Sequence, residues 1–103
     1  MSADDLATMT TDDHRRAFTT FVAALLADFD RYVDRGDVDL VRDGVGYGQA
    51  AMWLSDEEFA ELTADLRQVL QARLANRPGG GRRRRLVSTV LMPGVEPPGT
   101  VSP

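Results

Sequence analysis

The chain has 103 residues, 43% of them hydrophobic and 27% charged, with 16 acidic residues against 12 basic ones and a net charge of −4. That length supports one domain with a modest core, the composition is too rich in Leu, Val and Phe for a disordered chain, and the negative balance works against autonomous binding to a phosphate backbone. The absence of cysteine removes disulfides, thiolate nucleophiles and thiolate metal sites, and no uninterrupted apolar run approaches the roughly 18 residues of a membrane span, so a cytoplasmic protein with no membrane partner is expected.

Residues 1–10 are small, polar and mixed, and read as a flexible tail or linker ahead of a single domain over residues 11–93. From Thr11 or Asp12 onward, Phe18, Phe21, Val22, Leu25, Leu26, Phe29, Tyr32 and Val33 recur at spacings of three and four, which places them on one face of a helix. Thr11, Asp12 and Asp13 supply cap oxygens and negative charge at its start, and Gly36 supplies a stop. Residues 38–42 and 45–54 flank Asp43-Gly44, a dipeptide suited to a type I′ turn, and so predict a hairpin. In its second strand Gly46 and Gly48 share a face with Ala50, Met52 and Leu54, leaving room for close packing, while Tyr47, Gln49, Ala51 and Trp53 share the other.

The run Leu54-Ser55-Asp56-Glu57-Glu58-Phe59 predicts a helix start by a capping box between Ser55 and Glu58 and a hydrophobic staple between Leu54 and Phe59. This second helix carries Phe59, Leu62, Leu66, Val69, Leu70 and Leu74 at helical spacing, with Arg73 and Arg77 near its negative end, and stops around Asn76-Arg77-Pro78. A glycine loop, Gly79 to Gly81, and the basic run Arg82 to Arg85 lead into residues 86–92, whose β-branched content predicts a final strand closed by Pro93. Residues 94–103 read as a disordered tail. The expected fold is α+β: two amphipathic helices packed on a small two- or three-stranded sheet, in the order helix, strand, strand, helix, strand.

No group of residues assembles into a reactive centre. His14 is the sole histidine and has no second soft ligand near it, which points to a surface position in the first helical turn. The acid-rich stretch Asp28, Asp30, Asp34, Asp37, Asp39 and Asp43 lacks the order of a calcium loop, and Gly44, Gly46 and Gly48 match neither phosphate-cradling glycine motif. Asp56, Glu57 and Glu58 are explained by capping and the helix dipole. An enzyme is therefore not expected, and neither a cofactor nor a metal is assigned. The basic run Arg82, Arg83, Arg84 and Arg85 is the one candidate phosphate contact, set against the ordinary reading of a solvated loop.

Two surfaces invite association. The first-helix stripe Phe18, Phe21, Val22, Leu25, Phe29 and Tyr32 is aromatic-rich, and a small sheet covers little of it, so a homodimer packed helix against helix is expected. Tyr47, Met52 and Trp53 mark a candidate ligand or partner face, which supports an alternative reading as a small ligand- or protein-binding module using the glycine-lined strand and the second helix.

The chain also resembles a known family over roughly residues 10–95. His14-Arg15-Arg16-Ala17-Phe18, then Phe29-Asp30-Arg31-Tyr32, Arg42-Asp43-Gly44-Val45-Gly46-Tyr47, Trp53-Leu54-Ser55-Asp56-Glu57-Glu58-Phe59 with Leu62, Leu66 and Leu70, and finally Leu86-Val87-Ser88-Thr89-Val90-Leu91-Met92-Pro93 look like the C-terminal half of ArsR-type winged-helix transcriptional regulators of high-GC actinobacteria. All twelve bases being Arg accords with such a coding bias. The resemblance implies a dimerisation or regulatory region that meets DNA only through an attached winged-helix domain and answers to a small-molecule effector whose identity it does not give. The residues before the first helix are too few for a helix-turn-helix, and the family's metal-binding cysteines are missing, so a metal-sensing role is not implied.

Overall fold

Thr10 starts the longest helix. Its Oγ1 accepts from the Asp13 amide at 3.1 Å and the Asp13 carboxylate accepts from the Thr10 amide at 3.1 Å, a reciprocal capping box one residue earlier than the expected start. A computed structural model describes residues 3–96, which divide into two compact units with the boundary between Gly48 and Gln49. The described part of the first unit contains α1 (Ala3–Thr8), α2 (Thr11–Val33) and α3 (Leu40–Asp43); the second contains α4 (Asp56–Leu74). Helix α1 falls within the stretch read as a tail, and the His14 ring nitrogen Nε2 lies 3.0 Å from the Leu6 carbonyl oxygen, linking α1 to the first turn of α2.

Helix α2 carries Asp12 and Asp13 in its first turn and Arg31 in its last, as the dipole favours, and three i,i+3 ion pairs run along it: Arg15 with Asp12, Arg16 with Asp13, and Arg31 with Asp28. All three are exposed, so they add little to stability. The helix closes as the Asp34 amide bonds the Asp30 carbonyl at 2.9 Å, and Gly36 follows with φ of 76°.

The expected hairpin is replaced by a helix. The Asp39 carboxylate accepts from the Arg42 amide at 3.0 Å and starts the single turn α3. Gly44 then ends it in the left-handed conformation at φ 70° and ψ 29°, with Val45 N–H on Leu40 C=O at 2.8 Å and Gly44 N–H on Val41 C=O at 3.2 Å, the two bonds of a Schellman motif. A type I′ turn needs positive φ at both central residues, and Asp43 keeps a negative one. Asp43-Gly44 is a helix terminus.

In the second unit the Ser55–Glu58 capping box is present as expected: Ser55 Oγ accepts from the Glu58 amide at 3.1 Å, and Glu58 Oε1 accepts from the Ser55 amide at 2.9 Å. Helix α4 ends at Leu74, and Gly79, Gly80 and Gly81 all take positive φ (112°, 63° and 79°) to turn the chain back on itself. The turn is fixed by Arg82 N–H on Gly79 C=O at 3.2 Å and by Arg82 Nη1 on Arg77 C=O at 3.0 Å.

The predicted final strand has no ladder partner. Among the described residues there is no strand, and the one bridge joins Gly79 to Arg82, so the expected α+β fold with a two- or three-stranded sheet is corrected to four helices joined by irregular segments. With no hairpin formed, the β-branched run at 86–92 has no edge to pair with, and β-propensity expresses fit to such a surface more than an intrinsic backbone preference. The tail expected over 94–103 lies outside the described residues from 97 onward. No described residue is fully buried; half-buried positions include Ala17, Ala27, Tyr32 and Val45 in the first unit and Leu62, Thr63, Leu66 and Leu70 on α4.

Candidate functional site

The α2 stripe forms as the spacing predicts, and much of it stays exposed. Phe18, Phe21, Val22, Leu25, Leu26, Phe29 and Val33 are each between 38% and 59% exposed. Phe18, Val22, Leu25, Phe29 and Tyr32 alternate in steps of four and three, the arrangement of a helix–helix seam. The rings support one another locally: Phe18 and Phe21 stack with centroids 6.2 Å apart, Phe29 and Tyr32 lie 6.4 Å apart, and Tyr47 meets Phe29 edge-on at 6.3 Å.

Tyr32 anchors the C-terminal end of the stripe. Its hydroxyl donates to Asp43 Oδ2 at 2.7 Å, Arg42 Nε donates to Asp43 Oδ1 at 3.1 Å, and Arg42 Nη2 reaches the Asp37 carbonyl at 3.0 Å. The Arg35 guanidinium lies 5.2 Å from the Tyr32 ring centroid, a cation–π contact. Arg42, followed by Tyr32, holds the Asp43 carboxyl well below the usual carboxylate range, while desolvation and the bond to Asp43 push the Tyr32 phenol up. The cluster locks α3 onto the end of α2 and thereby sets where the apolar face stops.

The other candidates are spread through the chain. Asp28 and Asp37 pair with Arg31 and Arg42, Asp39 caps α3, and no group of three or more His, Cys, Asp or Glu able to hold a metal ion occurs among the described residues. Asp13 and Glu58 are held below the usual carboxylate range, first of all by backbone hydrogen bonds from Thr10 and Ser55, and carboxylates so stabilised are poor proton donors at neutral pH. Tyr47 belongs to the first unit; Met52 and Trp53 belong to the second and are 62% and 68% exposed. A Cβ built at Gly46 or Gly48 would meet nothing within 4 Å, so the expected close packing against these glycines is not seen. Arg82, Arg83, Arg84 and Arg85 are exposed on the turn after α4.

One feature of the second unit escaped the reading of separate motifs. An open groove of about 340 Å3 runs along α4, lined by Leu66, Arg67, Leu70 and Leu74 on the helix and by Thr89 and Leu91 on the segment that follows the turn. The alternation of Thr89 and Leu91 with Ser88 and Val90 was its signal: an apolar helical ridge needs cover, and period-two spacing sends one set of side chains toward it. No helix among the described residues is long and apolar enough to cross a membrane. No protein-family model, curated protein or solved structure matches the chain.

Proposed function

We propose that this chain is the dimerisation and regulatory region of a winged-helix transcriptional regulator of the ArsR type, acting in the cytoplasm by association and without catalysis. The observation that carries the reading is the bare aromatic stripe of α2: a helix with Phe18, Phe21, Val22, Leu25 and Phe29 on one face, each at least 38% exposed, is an association surface that its own unit leaves open. The resemblance set out above supplies the class of protein. In that role, pairing two copies fixes the distance between attached DNA-binding heads so that it matches the half-site spacing, and an effector that favours one paired geometry shifts occupancy of the operator.

The test is the mass of the full chain in solution by light scattering at micromolar concentration. A dimer is expected, and Leu25→Arg, which places a charge in the middle of the stripe, is expected to dissociate it and to lower α-helical circular dichroism in step. A wild-type chain that stays monomeric across that range overturns the reading.

A further inference from the structure

The groove of the second unit is walled on α4 by two unlike rows of side chains. Leu66, Leu70 and Leu74 recur every fourth residue and form an apolar row, and Thr63, Arg67 and Gln71 do the same beside it and form a polar one. Residues four apart stand one above another on a helix, so the rows run side by side for about three turns. Thr89 and Leu91 repeat the combination on the opposite wall, one hydroxyl and one apolar side chain. The volume of about 340 Å3 lies within the roughly 300–1,000 Å3 of small-molecule sites.

Among the described residues that line the groove, Arg67 alone is charged. Its helical neighbours at three and four residues are Thr63, Ala64, Leu70 and Gln71, and its nearest acids, Asp65 and Glu61, stand two and six residues away. Neither spacing allows an ion pair within the helix, so no carboxylate of α4 neutralises the guanidinium that faces the groove. No acid occurs from residue 66 to residue 95, a stretch with seven arginines, and the local potential is therefore positive. Thr63 donates its hydroxyl proton to the Phe59 carbonyl at 2.9 Å and offers the groove an acceptor only, whereas the Gln71 amide, one turn beyond Arg67, can donate.

We infer that the groove binds a small organic acid with an apolar body, its carboxylate on Arg67 and its hydrocarbon against Leu66, Leu70 and Leu91. The planar guanidinium fork matches a carboxylate with two parallel N–H···O bonds, and the Gln71 amide is placed to add a third. One cation balances one negative charge; a doubly charged phosphate would leave its second charge unpaired beside leucine side chains. Burial of the hydrocarbon supplies the attraction, and the ion pair fixes which end of the ligand sits where. The inference names an effector class for the regulatory role proposed above and rests on that reading for what binding accomplishes, while binding itself is a property of one chain.

Octanoate is the probe, titrated into the full chain by calorimetry alongside acetate and 1-octanol. One octanoate per chain is expected, at least about tenfold tighter than acetate, which lacks the hydrocarbon, or octanol, which lacks the charge. Methyl resonances of Leu70 and Leu91 are expected to shift on binding, and those of Leu25 and Leu26 on α2 to stay in place. Arg67→Gln keeps a good helix former at an exposed position, and circular dichroism checks that α4 persists. It is expected to weaken octanoate at least about tenfold and to leave octanol unchanged, while Arg83→Gln on the arginine turn changes neither. Octanoate held no more tightly than acetate or octanol, methyl shifts confined to α2, an Arg67→Gln variant that binds octanoate as wild type does, or an equal loss in Arg83→Gln each overturns the inference. A monomeric wild type that binds octanoate as expected defeats the association reading alone, and a dimer that does not bind it defeats the groove alone.

Discussion

Gly44 and Gly46 look alike in the sequence and carry opposite burdens. Gly44 ends α3 at φ 70°, where a side chain is strained, whereas Gly46 has ordinary backbone angles and open space around it. Gly44→Ala is therefore expected to destabilise the α2–α3 region by about 1 kcal/mol while Gly46→Ala stays within about 0.5 kcal/mol of wild type, as read from amide hydrogen exchange at Val45. The Tyr32–Asp43–Arg42 cluster sets a pH window on the same region. Asp43 titrates lower when folded than when unfolded, so its contribution is present above the ordinary carboxylate range and is lost as pH falls through the lowered value. Tyr32 titrates higher when folded, so its contribution is present below the ordinary phenol value of 10.0 and is lost as pH climbs through the raised one. Asp43→Asn is expected to bring the Tyr32 phenol back down in an ultraviolet titration run in a Tyr47→Phe background, because a neutral amide no longer favours the protonated hydroxyl; an unchanged phenol would show that the clasp does not form. Asp43-Gly44 suits both a tight turn and a helix terminus, so the dipeptide alone does not decide between them. The side chain that decides between them is Asp39, four residues upstream, whose cap on Arg42 commits the chain to a helical turn.

At the scale of elements, what could be read was what is local. Both long helices were visible in apolar spacing and cap chemistry, because a helix is built from contacts three and four residues apart and its ends from side chains adjoining them. The Ser55 box falls where the sequence puts it, whereas the first helix is capped by Thr10 and not by the expected Thr11, Asp12 or Asp13, because only Thr10 has a carboxylate, Asp13, three residues on to reciprocate. Ser55→Ala and Thr10→Ala are each expected to destabilise their helix by about 1 kcal/mol, and Ser55→Asp to retain most of the wild-type value, measured by thermal melts of helical circular dichroism. The strands were not legible, because a strand is defined by its partner. Residues 86–92 have the composition of one, yet Thr89 and Leu91 face α4 across the groove and no backbone partner lies alongside. The groove was half-visible: its helical wall was in the apolar spacing of α4, and its other wall depended on where the glycine turn aimed the chain.

Whether an apolar stripe becomes core or interface is a property of the whole molecule, and this is where single-sequence reasoning stops. Phe18, Phe21, Val22, Leu25 and Phe29 give the same periodic signal in either case; only the extent of cover separates the two, and here each stays at least 38% exposed. If folding is completed by association, stability must depend on protein concentration, because mass action favours the paired state while a monomer's unfolding is indifferent to dilution. Each tenfold rise in concentration adds about 1.4 kcal/mol per mole of dimer, which for two chains of this size raises the melting temperature by about 3–6 °C. Leu25→Arg should flatten that dependence as well as lower the midpoint, since it removes the contact through which concentration acts. A wild-type midpoint that stays fixed over a hundredfold dilution would mean that the exposed stripe of α2 is tolerated by a chain that folds alone.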